Sequence, residues 1–278
     1  MNITLKRLIY AALPPSVIDM LKVRSFYRIF DQFQKQDFPE SVIFERLLES
    51  GDIVIDVGAN IGLVTKLFAK MVGNMGKVHS FEPVPYTYKI LMRNVERSGA
   101  RNVVCYDCAI SDRDGTATIE VPTFADTPSY AEGPDPRVER VSSFGRVRNY
   151  YAAQIRKDTG QSAVGRVSYM IETRSLDGLF FSNVPRIHFI KCDAEGFELE
   201  CMIGARAIIE RDRPPLFIEL CSDPDQEGTG MWQLNQFLDE KGYAPYLFQD
   251  GKLQKRPNGM FAHDLFYLTE EQSGKCDV

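Results

Sequence analysis

A glycine-rich turn follows the first buried strand that the sequence predicts. Residues 52–57 form the apolar run, and Gly58, Asn60 and Gly62 then lead into an amphipathic helix. Glycines let the backbone approach a ligand closely, and the first N–H groups of a helix are free to bind polar ligand atoms. The turn has Asn60 and Leu63 where a dinucleotide fingerprint has its second and third glycines, and it lacks the Gly-Lys-Ser/Thr of a P-loop. It therefore suits a ligand that has an amino acid end and no pyrophosphate.

Carboxyl groups stand at the ends of several predicted strands. Glu82 ends the second strand, Asp193 and Glu195 follow the fourth strand of the parallel set, and Glu219 lies near the end of the fifth. In open α/β sheets, ligands bind at the carboxyl ends of the parallel strands, and a carboxylate after the second strand can accept both hydroxyls of a ribose. The glycine turn and Glu82 together favour a nucleoside site.

The elements that must position these groups follow a βαβ pattern. From Gly51 onward, short β-branched runs alternate with helical runs, which predicts a mostly parallel sheet. The predicted strands are residues 52–57, 77–81, 102–107, 116–121, 167–172, 187–191, 216–220, 243–248 and 261–268. Predicted helices cover residues 86–97, 175–181, 197–209 and 232–241. The last two strands, joined through Asp250 and Gly251, are expected to form an antiparallel pair at one edge of the sheet.

Two segments stand outside this pattern. Residues 1–45 predict one or two amphipathic helices, over 3–12 and 16–33, that could pack on the sheet, form a dimer face or contact a membrane surface. Residues 122–166 show no sustained helical or strand periodicity of apolar residues, and they interleave aromatic residues with proline, serine, glycine and arginine. Because so long a connection is either functional or disordered, we interpret it as an insertion that serves as a substrate lid in a domain spanning 46–278.

Composition excludes several classes of protein. The 278 residues include 44% hydrophobic and 26% charged residues, as in an ordinary soluble globular protein. A net charge of -5 argues against non-specific nucleic-acid binding, and we expect no nucleic-acid partner. The sequence shows neither a signal peptide nor an apolar stretch of about 20 residues, so it predicts a cytoplasmic protein without a transmembrane segment.

Five short motifs occur in a recognisable order. They are residues 56–62 (DVGANIG), 81–83 (FEP), 109–112 (AISD), 175–177 (SLD) and 190–198 (IKCDAEGFE). In this order they resemble the FkbM family of S-adenosylmethionine-dependent methyltransferases. The last motif is the most specific, because many methyltransferases share the glycine turn. The resemblance runs from about Val54 to the terminal strand pair.

The resemblance implies a fold, a chemistry and a cofactor site. The fold would be α/β, with a Rossmann-like seven-stranded, mostly parallel sheet, an antiparallel edge hairpin and helices on both faces. The usual reaction of the family is O-methylation of sugars, polysaccharides or polyketide-type products. The turn would hold the methionine end of the cofactor, Glu82 the ribose, and Asp107 and Ala109 would border the adenine. The implied cofactor residues are Asp56, Gly58, Ala59, Asn60, Gly62, Glu82, Asp107 and Ala109.

The expected reaction needs alignment of the acceptor and removal of a proton, because the methyl group is already activated. Asp193 is the first candidate for a general base or an acceptor-orienting group, with Glu195 and Glu219 in support. His263, held by Asp264, is an alternative base. The three carboxylates also resemble an oxygen-ligand site for Mg²⁺, which would lower the pKa of the acceptor hydroxyl.

The sequence leaves the acceptor open. A hydroxyl of a sugar in a glycan or glycosylated metabolite is the leading hypothesis. The alternatives are methylation of a non-sugar small molecule or a nucleic acid, and a cofactor-binding module without catalysis. The sequence predicts no particular oligomeric state.

Overall fold

Two β-sheets organise the part of the chain that the structure describes. The structure is a computed structural model, and it describes residues 14–122, 154–155 and 166–276. In chain order, the strands are β1 (Ile53–Val57), β2 (Lys77–Phe81), β3 (Val103–Tyr106), β4 (Cys108–Ile110), β5 (Gly115–Pro122), β6 (Gln154–Ile155), β7 (Arg166–Arg174), β8 (Phe189–Cys192), β9 (Leu216–Glu219), β10 (Ala244–Gln249), β11 (Lys252–Lys255) and β12 (Asp264–Leu268). The α-helices are α1 (Pro15–Gln32), α2 (Ser41–Leu47), α3 (Leu63–Val72), α4 (Pro85–Ser98), α5 (Glu198–Ile203), α6 (Arg206–Asp212), α7 (Gly230–Glu240) and α8 (Glu270–Gly274).

The larger sheet has the order β11-β10-β12-β9-β8-β1-β2-β3. Strands β9, β8, β1, β2 and β3 pair in parallel, and β12 pairs antiparallel with both β9 and β10. This arrangement confirms the predicted α/β class and the mostly parallel, Rossmann-like sheet. It also places the carboxyl ends of β1, β2, β8 and β9 along one rim.

The strand count differs from the prediction. Asp250 and Gly251 both adopt left-handed backbone angles, with φ of 53° and 77°, and they reverse the chain directly after β10. The turn therefore leads into β11, a strand that we did not predict, so the larger sheet of the described residues has eight strands instead of seven. The final strand β12 inserts between β10 and β9 and pairs antiparallel with β10, as predicted, but the turn at Asp250 and Gly251 joins β10 to β11 and not to β12.

Both faces of the larger sheet are covered by helices, as predicted. On one face, Phe44 of α2 packs against the rings of Phe189, Phe217 and Phe266 from three neighbouring strands. On the other face, buried residues of β1, β8 and β9 pack with α5, α6 and α7 in a second apolar cluster. Burial of the parallel strands on both faces explains their nearly continuous apolar sequences.

A second, smaller sheet has the order β4-β7-β5-β6. The sequence predicted strands close to β5 and β7 but did not pair them. In the structure, β5 and β7 run antiparallel along their length, from Gly115 opposite Thr173 to Pro122 opposite Arg166. Strand β4 adds to β7 in parallel. This sheet stands beside the carboxyl-end rim, where it can form one wall of a site.

Two predicted helices are also corrected. The single helix expected over 197–209 is divided into α5 and α6, because Ala205 leaves the helical conformation with a φ of -109° and a ψ of 10°. The preceding residue must be glycine, since a Cβ at Gly204 would lie 2.0 Å from the Ser111 carbonyl oxygen. The helix expected over 175–181 is a one-turn π-helix, Asp177–Phe181.

Helix α1 lies against the main domain. Its Phe26 packs with Ile61 and Ile90, and the Lys66 ammonium donates to the carbonyl oxygens of Phe30 at 2.6 Å and Phe33 at 2.9 Å. The predicted helix over 3–12 and most of the predicted lid over 122–166 lie outside the described residues. Within the described ranges, no helix is both long enough and apolar enough to cross a membrane.

Candidate active site

A cleft opens between the carboxyl-end rim of the larger sheet and the smaller sheet. Its empty volume, which includes the open mouth, is about 640 Å³. The lining residues are Val57, Gly58, Asn60, Phe81, Glu82, Pro83, Val84, Cys108, Ala109, Ile110, Ile119, Asp193, Ala194 and Glu195.

The glycine turn touches the loop that follows β8. Gly58 has a φ of 69°, and a Cβ at this position would lie 1.8 Å from the carbonyl oxygen of Asp193. The Asp193 N–H in turn donates to the carbonyl of Val57 at 3.2 Å. Position 58 therefore requires glycine for two reasons: the left-handed backbone and the direct approach of a second loop.

Asn60 forms the tip of the turn. It adopts a left-handed φ of 52°, and its N–H donates to Oε2 of Glu82 at 3.0 Å. Its side-chain Oδ1 is buried and has no hydrogen-bond partner in the described structure. Ala59 is buried and donates its N–H to the carbonyl of Phe81, while Gly62 caps the start of α3 with a φ of 90°. The unpaired Asn60 oxygen is available to a donor group of a ligand in the cleft.

Glu82 lies at the floor of the cleft. Its two carboxyl oxygens accept the N–H groups of Asn60 and Val84 at 3.0 and 2.9 Å. Burial raises the pKa of Glu82 to about 7, although the two N–H groups favour the charged form. Each oxygen keeps a second lone pair, so this carboxylate can accept two ligand hydroxyls at once.

Asp56 lies beneath the turn and does not line the cleft. It is fully buried, and the Thr65 hydroxyl donates to its Oδ2 at 2.6 Å. Burial raises the pKa of Asp56, whereas Lys191 and Thr65 favour its charged form. The Lys191 ammonium is 3.5 Å from Asp56 Oδ1. Asp56 therefore supports the turn from below.

Asp193 and Glu219 form a hydrogen-bonded carboxyl pair at the ends of β8 and β9. The charge of Asp193, followed by burial, raises the pKa of Glu219 to about 10. Glu219 thus carries a proton at neutral pH and donates it in a hydrogen bond to Asp193. The Lys191 ammonium also lies 3.3 Å from Oδ2 of Asp193.

The loop after β8 is held by Glu198, the first residue of α5. The buried Glu198 carboxylate accepts the N–H groups of Ala194 at 2.9 Å and Gly196 at 3.1 Å. These two residues flank Glu195, which adopts a left-handed φ of 51°. Burial raises the pKa of Glu198 to about 7. Glu198 therefore fixes the conformation that brings Glu195 to the cleft.

The opposite wall of the cleft is apolar. It consists of Cys108, Ala109 and Ile110 from β4 and Ile119 from β5. Behind it, Ile119 packs with Val84, Val121 and Ile171 in a small cluster between the two sheets. A flat, uncharged ring would find apolar contact along this wall.

The structure brings together some of the predicted site residues and separates others. Gly58, Asn60, Glu82, Ala109, Asp193 and Glu195 all line the cleft. Asp107 is exposed between β3 and β4, outside the lining. His263 also lies outside it, with Nδ1 3.3 Å from the carbonyl oxygen of Leu220.

Three contributors were missed in the sequence: Lys191, Glu198 and the part of the apolar wall other than Ala109. The first two lie within the motif at 190–198, and a lysine inside an otherwise apolar strand is a signal that could have been used. Ile119 carried no comparable signal, because its place at the cleft depends on strand pairing over about fifty residues. The described residues contain no group of three or more His, Cys, Asp or Glu side chains arranged to hold a metal ion, so the Mg²⁺ hypothesis gains no support there.

Comparison with known proteins identifies the family of this chain. The family model described as the methyltransferase FkbM domain matches residues 56–245, from the glycine turn to the start of β10. The chain belongs to the FkbM methyltransferase family. It is accordingly an S-adenosylmethionine-dependent methyltransferase.

Similar proteins carry related names. Methyltransferase sdnD of Sordaria araneosa is 28% identical over 231 residues, which cover 81% of this chain and 86% of that protein. The 31-O-demethyl-FK506 methyltransferase FkbM of Streptomyces tacrolimicus is 31% identical over 170 residues, covering 56% of this chain and 60% of that protein.

Solved structures of methyltransferases also match. A crystal structure of methyltransferase FkbM from Methylobacillus flagellatus KT aligns with a TM-score of 0.45 and 16% identity, covering 78% of this chain and 44% of that chain. A putative methyltransferase from Streptococcus mutans in complex with S-adenosylhomocysteine aligns with a TM-score of 0.42 and 11% identity, covering 82% and 94%.

The cleft of this FkbM-family chain fits the chemistry of the cofactor. The Glu82 carboxylate suits a ribose diol, and the unpaired Asn60 oxygen beside the glycine turn suits the donors of an amino acid end. The apolar wall suits an adenine ring. No group in the lining conflicts with this assignment among the residues that the structure describes.

Proposed function

We propose that this methyltransferase transfers the methyl group of S-adenosylmethionine to a hydroxyl of a sugar, in a glycan or a glycosylated metabolite. The observation that carries the proposal is the position of Asp193. Its carboxylate lines the same cleft as Glu82 and the glycine turn, with hydrogen-bond partners on both sides. A carboxylate so held can orient a hydroxyl and accept its proton.

The residues divide between cofactor and acceptor. Glu82, Asn60 and the N–H groups of the glycine turn would hold the cofactor, with Ala109 against its adenine. When bound, S-adenosylmethionine supplies a methyl group that is already activated as part of a sulfonium. The chain therefore needs only to align the acceptor and remove a proton.

Asp193 is the proposed general base. Its Oδ2 is held by the Lys191 ammonium at 3.3 Å, and protonated Glu219 donates a further hydrogen bond to the carboxylate. A lone pair of Asp193 that faces the cleft would accept the hydroxyl proton as the new carbon–oxygen bond forms. Glu195, at the same rim, would help to hold the acceptor.

A non-sugar hydroxyl is the second candidate. The relative from Streptomyces tacrolimicus is named a 31-O-demethyl-FK506 methyltransferase, and it is 31% identical to this chain over 170 residues. This similarity supports a hydroxyl acceptor. The acceptor screen below distinguishes a sugar hydroxyl from a non-sugar hydroxyl. We further infer a cytoplasmic location, and contact of the N-terminal segment with a partner or a membrane surface stays a prediction.

The test is an acceptor screen with tritium-labelled S-adenosylmethionine. Wild-type protein would be incubated with methyl glycosides, neutral oligosaccharides, a hydroxylated macrolactone and RNA, each in a separate reaction. We expect label in a sugar fraction as an O-methyl group, and loss of that label with Asp193→Asn. Label in the macrolactone would favour the second candidate. Label on nitrogen or on RNA would contradict the proposed chemistry.

A further inference from the structure

Lys191 is a charged residue in the centre of a parallel sheet. It lies in β8, in register between Asp56 of β1 and Phe217 of β9, and only 6% of its surface is exposed. Lysine is rarely buried unless it is paired, and removing an ammonium from water is costly. The proposed function uses only its contact with Asp193, which does not explain why the ammonium is buried between the two loops of the site.

The Lys191 ammonium is surrounded by oxygen atoms from both loops of the site. Its Nζ is 3.0 Å from the carbonyl oxygen of Gly58 and 3.2 Å from that of Val57. It is 3.3 Å from Oδ2 of Asp193 and 3.5 Å from Oδ1 of Asp56. One cation therefore joins the glycine turn, the residue below it and the loop after β8.

These four oxygen atoms are of the kinds that bind a divalent metal ion, namely carboxylate and backbone carbonyl oxygens. Here an ammonium already stands among them and balances the neighbouring carboxylates. Burial lowers the pKa of Lys191, but the surrounding carboxyl groups, Asp193 first among them, outweigh this effect and hold it above its ordinary value. The lysine is thus charged at any physiological pH.

We propose that Lys191 is a positioning residue and the resident cation of this site. Its ammonium occupies the place among these oxygen atoms that a bound metal ion would otherwise take. It holds the side chain of Asp193 beside the cleft and ties that side chain to the glycine turn. The role in catalysis rests on the proposed function of Asp193 as the base, whereas the role as resident cation does not. It also gives a physical reason for a carboxylate-rich rim without a metal cluster in the described residues.

The first test measures turnover, with the sugar acceptor that the screen identifies. Lys191→Gln keeps donors for the two carbonyl groups but removes the charge. We expect kcat to fall by about 100-fold, with the KM for S-adenosylmethionine changed by less than about threefold. Lys191→Arg, which keeps the charge, should recover part of kcat. A higher KM with an unchanged kcat would contradict a role of Lys191 that acts through Asp193.

Two further variants separate positioning from folding. In an Asp193→Asn background, Lys191→Gln should cost less than about threefold more in kcat, because the group through which it acts is already gone. An equal, additive loss in both backgrounds would overturn the proposal. Lys66→Gln is the matched control, because Lys66 also donates to backbone carbonyls, those of Phe30 and Phe33, and lies outside the cleft lining. It should lower the melting temperature and leave kcat unchanged.

The second test needs no acceptor and no turnover. Wild-type protein, with and without S-adenosylhomocysteine, is titrated with Mn²⁺ and followed by electron paramagnetic resonance. We expect no bound Mn²⁺ signal that depends on Asp193. Stoichiometric Mn²⁺ that disappears in Asp193→Asn would show that a metal ion and not Lys191 is the cation of this rim. If the screen returns no acceptor, the proposed function fails and this titration still decides the present proposal.

Discussion

The two walls of the cleft differ in chemistry and in how the chain builds them. The wall on the larger sheet is polar, with Glu82, Asn60 and Asp193 set at the ends of parallel strands. The wall on the smaller sheet is apolar, with Ile119 and residues 108–110 set by the pairing of β4, β5 and β7. The polar wall depends on short local motifs, and the apolar wall depends on contacts between distant parts of the chain.

This difference suggests that the two walls have different functions. Hydrogen bonds and charges on the polar wall would fix the orientation of the cofactor and remove the proton of the acceptor. Burial on the apolar wall would add affinity without fixing orientation, because apolar contact is not directional. Changes on the polar wall should therefore produce large and specific losses, and changes on the apolar wall small ones.

The largest effect is expected for Gly58→Ala. The new methyl group would meet the Asp193 carbonyl oxygen at 1.8 Å, and the left-handed φ of 69° adds strain. We expect a loss of about 4 kcal/mol or more in the free energy of unfolding, together with the loss of cofactor binding. Gly99→Ala is the control, since Gly99 has a φ of 71° but no atom within 4 Å. If both variants lose the same stability, the contact between the two loops is not what matters.

Asp193→Asn should separate chemistry from binding. We expect turnover to fall by about 10²- to 10⁴-fold, as for the removal of a general base. Affinity for S-adenosylhomocysteine, measured by calorimetry, should stay within about threefold of wild type, because the variant leaves Glu82 and the glycine turn in place. Retained turnover would remove Asp193 from the mechanism.

Glu82→Gln should weaken cofactor binding by about 10- to 100-fold, as expected when charge-assisted hydrogen bonds are lost. The binding should also depend on pH. Because burial raises the pKa of Glu82 to about 7, the carboxyl gains a proton as the pH falls through 7 and no longer accepts two ribose hydroxyls as an anion. Affinity of the wild type for S-adenosylhomocysteine should therefore fall from pH 8 to pH 6, and Glu82→Gln should flatten the profile. A flat wild-type profile would contradict this assignment.

Ile119→Val tests the apolar wall. The loss of one buried methylene should weaken S-adenosylhomocysteine binding by about three- to fourfold and cost about 1 kcal/mol of stability. Met170→Ala is the control on the same sheet, because Met170 is 81% exposed. A loss as large as that of Glu82→Gln would show that the apolar wall does more than add contact area.

His263→Ala should have the smallest effect. The ring lies outside the cleft lining and is directed at a backbone carbonyl, so turnover should stay within about threefold of wild type. A loss comparable to that of Asp193→Asn would restore His263 as the base.

The polar wall could be predicted from the sequence because each of its parts is local. The turn at 56–62, the carboxylate at 82 and the motif at 190–198 each combine a strand end with residues of special backbone or charge. The order of these motifs then gave the family. The role of Lys191 could not be predicted locally, because its four oxygen neighbours come from two segments of the chain, 56–58 and the loop after β8, that are more than a hundred residues apart.

Apart from Ala109, which belongs to the motif at 109–112, the apolar wall could not be predicted, because contacts between distant parts of the chain bring its residues together. Residues 116–121 and 167–172 were both recognised as strands, yet nothing in either segment says that they pair with each other. The extra strand β11 was missed because its alternation is short and exposed. The turn at Asp250 was recognised, but its left-handed geometry leads to β11 and not to the last strand.

The account separates two functions on the polar wall: Glu82 binds the cofactor, and Asp193 serves methyl transfer. We would test this separation first by calorimetric titration of S-adenosylhomocysteine into wild type, Glu82→Ala and Asp193→Asn. The account predicts that Glu82→Ala weakens binding by about 10- to 100-fold while Asp193→Asn binds within about threefold of wild type. Equal weakening in both variants, or a larger loss in Asp193→Asn, would contradict it.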